Sequence, residues 1–219
     1  MSLDTPTLFV FAVFVCALAG FLLLLSWLQN RTVRGLALWA SASLIGAIGV
    51  ALITARGDVS DTWSIVIANA ILATAYGMVW AGVRNFDGRV TSASLVLAGA
   101  VIWLVACHIP AFFISLQARA ALMSAIVVYY SLLAAWELWR SRREGLMYRL
   151  PVLLLSVHAA FFVVRIALAG ALPLPADPGG ASRWVVDSHH LQGCVFCVFH
   201  GLFSRRMGKS AGGSQCRRR

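Results

Sequence analysis

In a chain of 219 residues, 60% hydrophobic and only 12% charged, too little polar surface remains to coat a water-soluble globule, so lipid has to be the solvent. The net charge of +10 would point to nucleic acid in a soluble protein, but the arginines stand in short clusters between apolar runs, where they report orientation instead. A bilayer core of about 30 Å takes about 20 apolar residues per helix, and about seven such spans consume nearly the whole sequence, leaving no room for a soluble catalytic domain.

The segment Met1-Ser2-Leu3-Asp4 has no positive charge, and the apolar run behind it is too long for a signal-peptide core and lacks a cleavage site, so the first span is expected to stay in the protein. That run, Thr7 to Leu28, carries no charge and ends at Gln29-Asn30-Arg31 with Trp27 at the interface. A second span, Gly35 to Ala55, lies between Arg34 and Arg56, with Ala42, Gly46 and Gly49 as a small-residue stripe for close helix packing. The third, Trp63 to Val83, follows Asp58 and Asp61, has Trp63 and Trp80 near its ends as interfacial aromatics, and leads into a turn marked by Gly88.

Thr91 to Cys107 makes a fourth span, stopped by His108 and Pro110, and a fifth runs from Leu116 to Trp139 with Trp136 and Trp139 at its far end. The polar stretch from Arg140 to Arg149 precedes Pro151, which suits a first helical turn, and a sixth span reaches Ala171. Pro173, Pro175, Pro178, Gly179 and Gly180 then forbid helix. A seventh span, Trp184 to Phe203, is much weaker because it contains Asp187, His189, His190 and Gln192. The expected fold class is therefore all-α: a polytopic membrane helix bundle of six strong spans and one weak one.

Alternate loops give the orientation. With the N-terminus outside, Arg31, Arg34, Arg84, Arg89, Arg140, Arg142, Arg143 and Arg149 fall on inner loops, against only Arg56, Arg119 and Arg183 on outer ones. The positive-inside rule then predicts N-out/C-in, and a multi-pass protein of the bacterial inner membrane. The cysteines, at 16, 107, 194, 197 and 216, form no even, loop-based framework, so no disulfide scaffold is expected.

The stretch Ser26-Trp27-Leu28-Gln29-Asn30-Arg31, then Ala68-Asn69 and Tyr76-Gly77, leading into Trp80-Ala81-Gly82-Val83-Arg84-Asn85-Phe86-Asp87-Gly88-Arg89, resembles the N-terminal membrane region of bacterial GGDEF proteins. The resemblance covers Thr5 to Ala171 and rests on hydropathy order plus these short motifs. In that family such a region precedes a cytoplasmic diguanylate cyclase domain, whose Gly-Gly-Asp-Glu-Phe loop handles GTP and metal. This sequence contains no such run, since Gly179-Gly180 is followed by Ala181-Ser182. The resemblance implies a sensor and anchor module, residues 1–187, without its catalytic domain, and hence no enzymatic activity and no cofactor in this chain. Residues 188–219 concentrate His and Cys and end in Gly212-Gly213-Ser214-Gln215-Cys216-Arg217-Arg218-Arg219, a composition resembling translation out of frame in a GC-rich gene.

Polar residues inside the spans are the candidates for function, because an ionisable group in a membrane helix is costly and marks a site by default. Arg165 lies about 22 Å along the sixth span from Leu150, roughly 8 Å below the outer surface. His158, seven residues earlier, shares its helix face, and Asn69 and Tyr76 have the same spacing on the third span. Asn69 falls at a depth of about 9 Å, so facing helices would bring these four residues to an outward-opening pocket, with Tyr129 of the fifth span beside it. The competing reading is ordinary interhelical hydrogen bonding, with Arg165 snorkelling outward.

Cys194, Cys197 and His200 recur every three residues, with His189 and His190 nearby, which is ligand chemistry for a soft metal; no second ordered element completes a zinc site, and none is expected. A retinal protein is excluded because the only lysine, Lys209, lies in the tail. The expected partners are the lipid bilayer and a second copy or a cytoplasmic signalling protein, with no nucleic acid. A small multi-pass transporter or export protein is the alternative, opposed by the lack of matched broken helices and by the single deep intramembrane charge.

Overall fold

The computed structural model describes residues 5–141 and 146–171. Their order is α1 (Thr5–Gln29), α2 (Arg34–Thr54), a π-helical turn (Thr62–Ile67) continuous with α3 (Ala68–Phe86), α4 (Ala93–Cys107), a short α5 (Pro110–Ile114), α6 (Leu116–Arg140) and α7 (Leu146–Ala171). No strand occurs among the described residues, and the expected all-α class is observed. Four stretches are long and apolar enough to cross a membrane: Gly35–Thr54, Thr62–Phe86, Leu116–Arg140 and Arg149–Ala167. Val13–Gln29 and Ala93–Cys107 are shorter apolar helices. The weak seventh span, the Pro/Gly-rich loop before it and the residues Cys194, Cys197 and His200 lie outside the described residues.

Many large apolar side chains face out of the bundle, as membrane association leads one to expect. Val10, Phe11, Phe14, Phe21 and Leu22 on α1, Val101, Ile102 and Val105 on α4, and Leu153, Val157, Val163 and Val164 on α7 are all exposed. Ser43, Ser64, Ser124, Ser131 and His158 are buried. Most of those hydroxyls have internal partners: Ser43, Ser64 and Ser124 each donate to the carbonyl four residues back, so they add no unsatisfied group to the interior.

Helix α3 is the hub, packing on α2, α4 and α6, while α1 lies against α2 and α7 against α6. Close approach is built from glycine. A Cβ at Gly77 would collide with the Val96 backbone of α4, and one at Gly49 would stand 2.9 Å from the Leu72 side chain, so α2, α3 and α4 sit nearly backbone to backbone. Gly46 of the expected stripe is roomier, with Ala75 Cβ at 3.8 Å. Gly88 closes the α3–α4 turn at φ 79°, a left-handed conformation that explains its place there.

Two local expectations are corrected. Helix α7 starts at Leu146, so Pro151 is inside it and not in its first turn; the helix forgoes the hydrogen bond the proline cannot donate, and the ring is fully buried. Trp80, expected at the interface, is in the core against Tyr130, with ring centroids 6.2 Å apart, because α3 is flanked by three helices. Trp63, Trp136 and Trp139 are exposed.

Candidate functional site: a cationic cavity at the π-helical end of the bundle

The site starts from the way α3 begins. From Thr62 to Ile67 the backbone is π-helical, which widens the turn and leaves carbonyls poorly served by the normal ladder. Two side chains answer them: the Asn69 amide donates to Ile65 O at 2.7 Å, and the Trp103 indole of α4 donates to Val66 O at 3.2 Å. Trp103 is itself locked edge-on against Phe112 of α5, with centroids 5.7 Å apart. The π-segment is therefore braced from its own helix and from its neighbour.

Beside it lies a cavity of about 70 Å³. Its wall is formed by Ile53 and Arg56 at the end of α2, Ser64, Ile65, Asn69 and Tyr76 on the π-segment and α3, and Trp103 on α4. Leu116, Arg119, Ala120, Met123 and Val127 on α6, with Phe162 and Arg165 on α7, complete it. Among the described residues, three arginines and no acidic side chain line the space. Asp61 at the start of the π-segment is exposed and attracts Arg119 without lining the cavity. Arg119 and Arg165 each lie over an aromatic ring, Phe113 at 5.8 Å and Phe162 at 5.6 Å, contacts that hold long cationic side chains in place. The Arg119 Nε–H is buried without a hydrogen-bond partner.

Of the residues singled out from sequence, Asn69, Tyr76 and Arg165 meet at this cavity. His158 is one step away: its Nε2 lies 3.4 Å from the Tyr76 hydroxyl, its ring packs on Phe162 at 4.9 Å, and its Nδ1 is buried without a partner. Tyr129 is not part of the arrangement. It points out of the bundle, 57% exposed, along an apolar groove with Trp136, Trp139 and Val152. Its neighbour Tyr130 is the inward one, with its hydroxyl donating to Leu95 O at 2.8 Å and accepting from Gly99 N at 3.1 Å. Arg56, Arg119 and Trp103 join the site without a distinguishing sequence signal: as charges near loops the arginines report only orientation, although Arg119 lies in the first turn of α6.

A second polar centre lies at the other end of α3. Glu137 on α6 receives Arg84 Nη1 at 3.0 Å and Arg89 Nη1 at 2.6 Å. Arg84 also lies over the Trp80 ring at 5.4 Å. A lone acid in an apolar span was the available signal, since such a residue calls for a cationic partner. Neither Cys16 nor Cys107 forms a disulfide. Among the described residues no group of three His, Cys, Asp or Glu could hold a metal ion.

No protein-family model matches the chain, and no curated protein and no solved structure matches it either.

Proposed function

We propose that the chain is the sensor and anchor module of a cyclic di-GMP signalling protein, resident in the bacterial inner membrane with its N-terminus outside. The observation that carries the sensing part is the cationic cavity beside the π-helical turn, on the same helix that ends in the Arg84–Glu137–Arg89 cluster. A ligand lodged between α3, α6 and α7 changes which packing of these helices is favoured, provided it binds one packing better than another. The cluster at the far end of α3 and α6 feels that change. The resemblance of the segments around Trp27 and Trp80–Arg89 to membrane regions of GGDEF proteins supports the cyclic di-GMP assignment. Arginines gathered on alternate loops support the N-out/C-in topology of six strong spans and a weak seventh.

No reaction is assigned to these residues. The output belongs to a cytoplasmic domain or partner, or to a second copy of the chain. Fusing a diguanylate cyclase domain after Arg219 and measuring cyclic di-GMP tests the reading. A signal-dependent output lost in Arg165→Leu, with membrane insertion and basal output unchanged, is the expected result. Signal-independent output in both forms would overturn it.

Transport is the second reading, favoured by the same three arginines between helices. Against it, Trp80, Tyr130 and Leu155 are buried in the core between the helices that bear the cavity. Counterflow of a small anion in proteoliposomes would establish it instead.

A further inference from the structure

We propose that the outward face of α6 is a dimerisation seam, on which a second copy of the chain packs in parallel across a two-fold axis normal to the membrane. This holds whatever the module senses. Between residues 125 and 139 the exposed positions of α6 are Ala125, Tyr129, Leu132, Trp136 and Trp139, spaced 4, 3, 4 and 3 residues apart, and every residue between them is buried or half-buried. Alternating spacings of 4 and 3 are the a and d positions of a heptad, which keep one stripe facing a parallel neighbour along its whole length. The stripe carries no charge, because Glu137 turns inward to Arg84 and Arg89, so two like faces meet without repulsion.

Tyr129 selects a second copy over lipid. Lipid tails are as apolar as leucine, so apolar faces alone bring no helices together, and the exposed Val, Phe, Leu and Ile of α1 and α4 need nothing more than a tail. Helix α6 is long and apolar enough to span a bilayer, which sets Tyr129, about 16 Å along it from Arg140, near the middle of a hydrocarbon core of about 30 Å. Its hydroxyl makes no hydrogen bond among the described residues, and its ring leans edge-on against Tyr130 at 5.4 Å. No water reaches that depth and a tail offers no acceptor. In a parallel two-fold pair each seam residue faces its own counterpart, and a hydroxyl, being donor and acceptor at once, is complementary to itself.

Beside the stripe, Leu133 and Ala135 on α6 and Val152 on α7 line an apolar groove of about 420 Å³. A space of roughly 150 Å³ admits benzene, so this groove has room for a whole indole. Trp136, 62% exposed on its rim, is the knob that fills the groove of the other copy, and the two-fold axis makes the exchange reciprocal.

The test replaces the five cysteines with serine, introduces single cysteines along α6 from Ala125 to Trp139, and oxidises membranes holding each full chain with copper phenanthroline. Disulfide-linked dimers are expected from Ala125, Tyr129, Leu132, Trp136 and Trp139 and not from Ile126, Val127, Tyr130 or Ala134. In proteoliposomes, energy transfer between labelled copies should show Tyr129→Phe weakening the pair about threefold and Trp136→Ala about tenfold, with Phe14→Ala on α1 pairing as the parent does. In dilute detergent the single copy of Tyr129→Phe should unfold as the parent does, because that hydroxyl makes no bond within the described chain. Energy transfer no greater than random at every protein-to-lipid ratio would mean that lipid covers the face and would overturn the proposal. So would cross-links without the alternating spacing, or, with Cys194 restored, a disulfide from Trp136→Cys to Cys194 within one chain, which would put residues 184–203 of the same chain in the groove.

Discussion

Glu137 on α6 and Arg84 on α3 form an ion pair at 3.0 Å, joining two helices that run parallel and far apart in sequence. The Glu137 side chain is 10% exposed while Arg84 and Arg89 are 27% and 39% exposed, so the acid is the buried member and the arginines reach it from the rim. Removing one partner of a buried pair costs about 3–5 kcal/mol, and partial exposure of the cations lowers that to about 2 kcal/mol for Glu137→Gln. Arg84→Ala should cost less, and Arg89→Ala least because it is the more exposed. Thermal unfolding in detergent measures the order, and added salt should partly relieve Glu137→Gln, where two cations are left facing each other. Equal stability of all three variants and the parent would reject the clamp.

Adjacent tyrosines give a sharper contrast. The Tyr130 ring is 1% exposed and its hydroxyl ties α6 to Leu95, Val96 and Gly99 of α4, whereas Tyr129 is 57% exposed. Tyr130→Phe should destabilise the bundle by about 1–2 kcal/mol through the lost hydrogen bonds to the Leu95 and Val96 carbonyls and from the Gly99 N–H. Tyr129→Phe should fall within about 0.5 kcal/mol of the parent.

Glycine substitutions separate crowding from strain. At Gly77 a methyl group would meet the Val96 backbone, which cannot rotate away, so Gly77→Ala should force α3 and α4 apart and cost about 3 kcal/mol or more. At Gly88 there is open space but φ is 79°, so alanine meets only conformational strain of about 1 kcal/mol. Gly46→Ala, with its nearest contact at 3.8 Å, should be close to neutral. The yield of monodisperse protein and the unfolding midpoint of each variant check this ranking.

These contrasts mark what could be read without coordinates. Helix limits such as Leu116–Arg140, against an expected Leu116 to Trp139, were legible because a membrane helix must be a continuous apolar run between polar caps. The pairing of Asn69 with Tyr76 was legible because seven residues are close to two helical turns, and depth from the interface then placed Arg165 near Asn69. Tyr129 was misplaced beside the pocket because α6 carries aromatics on both sides, and period alone does not say which side meets α3. Trp80 was misread for a related reason: proximity to a span's end predicts an interfacial ring only on a peripheral helix, and α3 is central. Helix α3's π-helical start left no mark in the hydropathy pattern, and so the wall contributed by Ser64, Ile65 and Trp103 was invisible.

Orientation makes a prediction of its own. The turn bearing Arg56 and Gly57 and the turn bearing Gly88 and Arg89 lie at opposite ends of α3. Alkaline phosphatase inserted at Gly57 should be active, and green fluorescent protein inserted at Gly88 or Ser141 should fluoresce, in keeping with arginines retained inside. The inverse pattern would place the cavity on the cytoplasmic side and remove the case for an external signal.

The π-segment invites the most direct manipulation, because a π-helical turn carries an extra residue that deletion can remove. Deleting Ile67 would let the segment that starts at Thr62 close as ordinary helix while leaving everything from Ala68 onward in register. Ser64 and Ile65 would then rotate by roughly 100° relative to Asn69, since one residue is that fraction of a turn. Trp103 would lose the Val66 carbonyl it now holds at 3.2 Å, at a cost of about 1–2 kcal/mol. The far end of α3, with Gly77 against Val96 and Arg84 on Glu137, should be untouched, so the variant should fold and show the parent's sensitivity to Glu137→Gln. In the cyclase fusion its signal-dependent output should be lost. A deletion variant whose output responds as the parent's does would mean that the π-segment only bends the helix, and that the wall it contributes is incidental to the site.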